Sequence, residues 1–248
     1  MITNATSGTN LHEIAPGIYR INTPIQIPGG PDFNFNQYLV ADDEPLLFHT
    51  GPRRMFPRVA EAIGKVLPLE RLRYVAFSHF EADECGSLND FLAAAPAAVP
   101  VSSQVAAMVS VNDVADRPAR AMADGEVLKL GRHSLKWLDA PHVPHAWENG
   151  FMMELETRTM LCGDLFTQGG SGAVALTESD ILAPSEAFRA PMDYYAHSPE
   201  TTATLERLAR EQPQVLAVMH GSAFRGDGAS LLRALARSLE KVPMAAAA

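Results

Sequence analysis

The sequence predicts a chain of mixed α and β structure, α/β or α+β in class, and three observations carry that expectation. Strand-like apolar runs alternate with helix-like spacings in both halves. No linker-like stretch separates the halves, so residues 1–248 are expected to form one domain, with loose tails at 1–10 and 243–248. The hydrophobic fraction of 47% and charged fraction of 20% are ordinary for a globular protein and carry no disorder signature.

Taken in order, residues 17–21 form a first expected strand and 35–40 a second, with partial alternation. Asp42-Asp43-Glu44-Pro45 turns the chain into a third, 46–48, which ends at His49-Thr50-Gly51. Phe56, Val59, Ala60 and Ile63 predict a helix over 53–67, stopped by Pro68. The apolar run 74–77 is a buried strand that stops at Ser78. Beyond it, Leu88, Phe91, Leu92 and Ala95 fall at i, i+3, i+4 and i+7, one buried helical face. A short strand at 98–101, a helical piece to about 109 and a loop through 116–118 follow. Two hairpins are expected, 126–130 with 134–138 and then 150–162, the latter turning near Thr157-Arg158. Gly169-Gly170-Ser171-Gly172 lacks the Lys-Ser/Thr of a phosphate-binding loop and is expected to be a flexible connection. A helix at 199–211, a strand at 215–219 ending at His220-Gly221, and a helix from about 228 complete the chain.

Composition removes several function classes. A net charge of −9 argues against nucleic-acid backbones and anionic membranes, which require basic patches. The opening MITNATSGTN has neither a basic n-region nor an apolar h-region, and no stretch approaches the ~20 apolar residues of a membrane span, so a cytoplasmic location is expected. Cys85 and Cys162 make no disulfide framework and are expected as small buried thiols.

The chain is organised around the end of the 74–77 strand. His79, Glu81, Asp83 and Glu84 place four metal or proton ligands within six positions, between a strand end and a helix start. Open α/β sheets commonly build sites there, and carboxylates gain from the positive end of the helix dipole. His145 lies in a loop after a strand, while Asp164 and His220 each follow an apolar run directly. Should those strand ends converge, one mouth carries His79, Glu81, Asp83, His145, Asp164 and His220. Three carboxylates and three imidazoles suit iron or manganese more than zinc.

The order His79-x-Glu81-x-Asp83, a distant His145, Gly163-Asp164 and a late His220-Gly221 resembles the metallo-β-lactamase fold. More narrowly it resembles the di-iron branch, the metal domain of flavodiiron proteins and the oxygen-binding di-iron proteins, because Glu81 stands where zinc hydrolases usually carry His. The likeness covers nearly the whole chain and includes Asn36-x-Tyr38-Leu39, the Thr50-Gly51 strand end and Gly163-Asp164-Leu165-Phe166. It implies an α+β fold, an αββα four-layer sandwich of mixed sheets flanked by helices. It also implies two iron ions, with zinc or manganese as alternatives. His79, Glu81 and His145 would hold one, Asp83 and His220 the other, and Asp164 would bridge. The implied function is a non-haem di-iron protein that binds or reduces dioxygen, as sensor, storage protein or oxidoreductase. The rival reading is a metal-dependent hydrolase of an ester, thioester, lactone or phosphodiester, with Asp83 orienting or deprotonating the attacking water. Asp83 and Glu84 are the candidate catalytic carboxylates.

The chain departs from that pattern in two places. Glu84 stands where flavodiiron chains commonly have His, and His49 where relatives commonly have Asp before Thr-Gly. The second metal could recruit Glu84, a water or His142. A carboxylate and an imidazole that have exchanged places would hydrogen-bond to one another, so a His49–Glu84 pair supporting the ligands is expected. Only one helix follows His220, so no flavodoxin-like domain is expected. Expected partners are therefore dioxygen or another small molecule and a separate electron donor or signalling protein. The resemblance allows a homodimer, although the shared flavin site that favours one in flavodiiron proteins is not expected here.

Overall fold

A computed structural model of the chain describes residues 1–240; the tail expected at 243–248 lies outside them. Eight strands follow chain order across one sheet: β1 (Ile2–Asn4), β2 (Thr9–Ala15), β3 (Ile18–Gln26), β4 (Asp32–Val40), β5 (Leu46–Phe48), β6 (Tyr74–Ala76), β7 (Val99–Ser103) and β8 (Arg120–Met122). The other sheet holds β9 (Val127–Lys129), β10 (Ser134–Asp139), β11 (Gly150–Glu154), β12 (Thr159–Leu161), β13 (Leu176–Thr177), β14 (Val215–Ala217) and β15 (Ala223–Arg225), in the order β13-β15-β14-β12-β11-β10-β9. Both are mixed. Pairing is antiparallel from β1 to β5 and parallel from β5 to β8. In the second sheet β12 with β14 and β13 with β15 are parallel.

The helices are α1 (Phe56–Ile63), α2 (Ala82–Cys85), α3 (Leu88–Ala94), α4 (Gln104–Ala106), α5 (Asn112–Val114), α6 (Leu182–Arg189), α7 (Thr201–Arg210) and α8 (Gly228–Leu239). Strand periodicity explains how they are layered, because successive side chains leave a sheet on opposite faces. From the first sheet, Leu39, Leu47 and Val75 pack with Val59 and Ile63 of α1 and Phe91 of α3. Their neighbours Tyr38, Val40, Phe48 and Ala76 face Trp137, Met152 and Leu161 of the second sheet. Phe151, Met153 and Met160 point the other way, onto Leu205 and Leu208 of α7 and Leu232 and Leu235 of α8. Three apolar seams thus join four layers, helices, sheet, sheet, helices, as an α+β metallo-β-lactamase-like sandwich.

Several boundaries differ from expectation. Residues 2–4 and 9–10, expected to be loose, are paired strand: Leu11 N donates to Met1 O at 2.8 Å, and buried Thr3 Oγ1 donates to Thr9 O. Their polar composition is that of an edge strand, which looks like a tail without its neighbour. The helix expected over 53–67 opens with a 3-10 turn, Arg53–Met55, and its α-helical part ends at Ile63. The strands β13 and β15 and helix α6 carry too few residues or too weak a period to stand out in sequence.

Candidate metal centre

His79 follows β6, Asp164 follows β12 and His220 follows β14, each within three residues of the strand end, and His145 sits on the 140–149 loop beyond β10. Glu81 is the extended N-cap of α2 (φ −132°, ψ 164°), and α2 itself carries Asp83 and Glu84. The short turn therefore delivers three carboxylates to the mouth of the two sheets. It is anchored from below: Thr50 N donates to Glu84 O at 2.7 Å, and Thr50 Oγ1 accepts from Ser87 N at 3.0 Å. This is the structural work of the Thr50-Gly51 strand end.

The six expected residues converge. His145 Nε2 lies 2.9 Å from His79 Nε2 and 3.3 Å from Glu81 Oε1. Asp164 Oδ2 faces this group, 3.7 Å from His79 Nε2 and 3.5 Å from His145 Nε2. The other Asp164 oxygen, Oδ1, faces a second group, 3.3 Å from His220 Nε2, which is itself 3.5 Å from Asp83 Oδ2. His79, Asp164 and His220 are buried, whereas the Glu81 side chain is half exposed at the rim.

Each imidazole is fixed from behind. His145 Nδ1 donates to Tyr194 O at 3.0 Å, His220 Nδ1 donates to Asn34 O at 2.8 Å, and His79 Nδ1 meets Ser78 Oγ at 3.0 Å. A carbonyl can only accept, so the first two rings carry their proton on Nδ1 and in the neutral form turn an Nε2 lone pair inward. Lone pairs and carboxylate oxygens then face one another with no donor between them. Such a cluster requires positive charge, as protons or as a cation. The imidazoles of His145 and then His79, close beside it, hold the Glu81 carboxyl down at about 2. Burial works against charge on His220, but the carboxylates of Asp164 and Asp83 beside its Nε2 outweigh it and push the ring up to about 9. Asp164 is desolvated, yet His220 and the other rings hold its carboxyl well below the usual range. Burial, then the Asp164 and Asp83 charges, push the Glu84 carboxyl far above it.

Glu84 and His49 do not pair. His49 is buried with left-handed backbone (φ 65°); its Nε2 meets Ser78 Oγ at 3.0 Å and its Nδ1 meets Met219 Sδ at 3.0 Å. Ser78 Oγ thus stands between His49 and His79, and the carboxyl of Glu84 is left with neither oxygen hydrogen-bonded. His142 is not at the mouth: it is exposed, on the turn closed by its N–H to Ala146 O. Trp147 is largely exposed, while buried Glu148 accepts from Phe80 N at 3.2 Å. Cys85 and Cys162 are free and buried, and burial pushes Cys85 up to about 12.

Ser78, Asn34, Tyr194 and the aromatic wall were not among the expected site residues. Phe33 packs on His220 with ring centroids 4.4 Å apart and on Phe188 at 5.6 Å, and Phe35 meets His220 edge-on. One signal was available: Asn22, Asn34 and Asn36 recur at even spacing within strands, on a face too polar for plain core. Asn22 bonds both of the others.

The donor set fits a metal pair on its own chemistry. Ligand atoms of His79, His145 and Asp164 lie within 4.8 Å of one another, as do those of His79, Glu81 and Glu84. Buried Asp164 Oδ1 and both oxygens of buried Glu84 accept no hydrogen bond, which is costly for a carboxylate unless a cation is its partner.

Fold and site together define a metallo-β-lactamase-like domain with a cluster of the di-iron type. Residues 33–221 match the ODP family beta lactamase, and the chain belongs to that family. Rubredoxin-oxygen oxidoreductase of Megalodesulfovibrio gigas is 27% identical over 205 residues, covering 77% of this chain and 49% of that protein. The chain thus spans about half of that relative's length. Among solved structures, the rubredoxin oxygen:oxidoreductase of Desulfovibrio gigas superposes with TM-score 0.80 at 20% identity, over 95% of this chain and 63% of that one. The Flv1 flavodiiron core from Synechocystis sp. PCC6803 superposes with TM-score 0.81 at 20% identity, over 93% and 60%. Among the described residues no helix is long and apolar enough to cross a membrane.

Proposed function

We propose that the chain is a non-haem di-iron protein that binds or reduces dioxygen. The observation that carries this reading is Asp164, whose two oxygens face two separate ligand groups. His79, Glu81 and His145 would hold one iron, Asp83 and His220 the other, with Asp164 shared. Two ferrous ions held by these residues would supply two electrons to one small ligand. Glu81 and the other carboxylates make a harder donor set than an imidazole-dominated one, which favours iron over zinc. The backbone carbonyls of Asn34 and Tyr194 keep Nε2 of His220 and His145 directed inward. Phe33 and Phe35 pack their rings on His220 and Phe188 stacks on Phe33, an apolar wall that suits a small neutral molecule better than a hydrated anion.

The relative's name couples oxygen to rubredoxin; for this chain we infer the general counterpart, a separate electron-transfer or signalling protein that meets the half-exposed Glu81 rim. Purification without oxygen or added metal, metal analysis, and then optical spectra during oxygen exposure test the reading. About two irons per chain with a visible band that develops under oxygen is the expected result. Zinc at both positions with a silent spectrum would overturn it.

A further inference from the structure

We propose that Glu84 is itself a metal ligand, the fourth carboxylate of the centre, so that the chain offers seven donor residues to two cations. The inference rests on the two-metal reading of the cluster. Glu84 is fully buried, and neither of its oxygens accepts a hydrogen bond. Its Oε1 is 3.9 Å from His79 Nε2, inside the group formed with Glu81. The side chain cannot easily leave: Thr50 N holds the Glu84 carbonyl, Cys85 N bonds Glu81 O at 3.0 Å, and Ser87 N is tied to Thr50 Oγ1.

A carboxyl kept in such a place for structural reasons would be expected to meet a donor. The donor available by sequence, His49, is committed to Ser78 and Met219 instead. The remaining neighbours are ligands and other carboxyls, chiefly Asp83 and Asp164. Only a shared proton or a cation satisfies that arrangement. A cation also balances the charge: with both ions bound, ionised Glu81, Asp83, Glu84 and Asp164 would supply the four negative charges that two divalent ions cancel, whereas with an imidazole at position 84 the loaded site would keep one positive charge.

The test is a titration of the metal-free full chain with Mn2+ against a competing chelator, for the native protein, E84Q and E84H. Two ions per chain are expected for the native protein. In E84Q, one of the two should bind at least ~tenfold more weakly, and E84H, which restores a donor, should recover part of that loss. Native-like binding of both ions by E84Q would overturn the role of Glu84 and leave the two-metal reading standing. A native chain that binds no divalent ion would overturn both. Should E84Q fail to fold, anomalous diffraction from Mn2+-soaked native crystals decides: a Glu84 oxygen within about 2.5 Å of the ion supports the proposal, and a side chain turned away from both ions overturns it.

Discussion

Ser78 places one hydroxyl between two buried imidazoles, 3.0 Å from His49 Nε2 and 3.0 Å from His79 Nδ1. Outer partners of this kind set ring orientation and ligand basicity. Ser78→Ala should therefore leave the fold intact, since the hydroxyl is small, while weakening metal binding by about 10–100-fold. Fe(II) titration with circular dichroism on the same samples checks both halves. Gly163 explains how close the neighbouring chain comes: its φ is +48°, and a Cβ there would lie 2.9 Å from Ser78 Oγ. On the proposed di-iron reading, Glu81, half exposed at the rim, is the residue on which metal choice turns. Glu81→His should shift occupancy toward zinc and suppress the oxygen-dependent spectrum; unchanged iron content and oxygen response would show that the choice is made elsewhere.

The β11–β12 hairpin shows how an element is held by one carboxylate. Glu154 ends β11 fully buried and accepts from Glu156 N at 3.1 Å, Thr157 N at 2.7 Å and Thr157 Oγ1 at 2.5 Å, and it meets His133 Nδ1 at 3.1 Å. Desolvation alone would raise its carboxyl, but these hydrogen bonds, led by those from Thr157, outweigh it and hold the carboxyl below its usual range. A folded value below the unfolded one, near ~4.3, means that the stabilisation is complete above that pH and fades as pH falls through the lowered folded value. Glu154→Gln should cost roughly 1.5–3 kcal/mol at neutral pH and flatten the acid limb of the stability profile. Urea denaturation at a series of pH values measures both.

At the scale of the whole molecule, the cluster joins the two sheets. His79, Glu81 and Asp83 come from the β6 side, and His145, Asp164 and His220 from the ends of β10, β12 and β14. Acceptors crowded from both sheets oppose one another, so cations bound there would support the fold itself. A metal present at ~1,000 times its Kd adds about 4 kcal/mol, which for a domain of this size raises Tm by roughly 10 °C. Calorimetry with and without anaerobic Fe(II) or Mn2+ checks this, and an unshifted Tm would contradict a metal link between the sheets.

Much of the site was legible because its chemistry is local. The His79-x-Glu81-x-Asp83 spacing, the apolar runs before Asp164 and His220, and the Phe91/Leu92 helical face are patterns that short-range geometry imposes, and they placed the six converging residues at strand ends. The paired strands at residues 2–10 and the short strand β15 were not, because marginal polar segments take their structure from a neighbour contributed from elsewhere in the chain. The partner of His49 was likewise beyond sequence reasoning: residue types suggested Glu84, but Ser78 and Met219 are the groups that reach its ring. By itself the sequence determined which donors the protein carries and in what order along the strands. The tertiary structure alone decided which oxygen of Asp164 faces which group, and that Glu84 is sealed in without a donor, because both depend on how two sheets separated in sequence meet at one mouth.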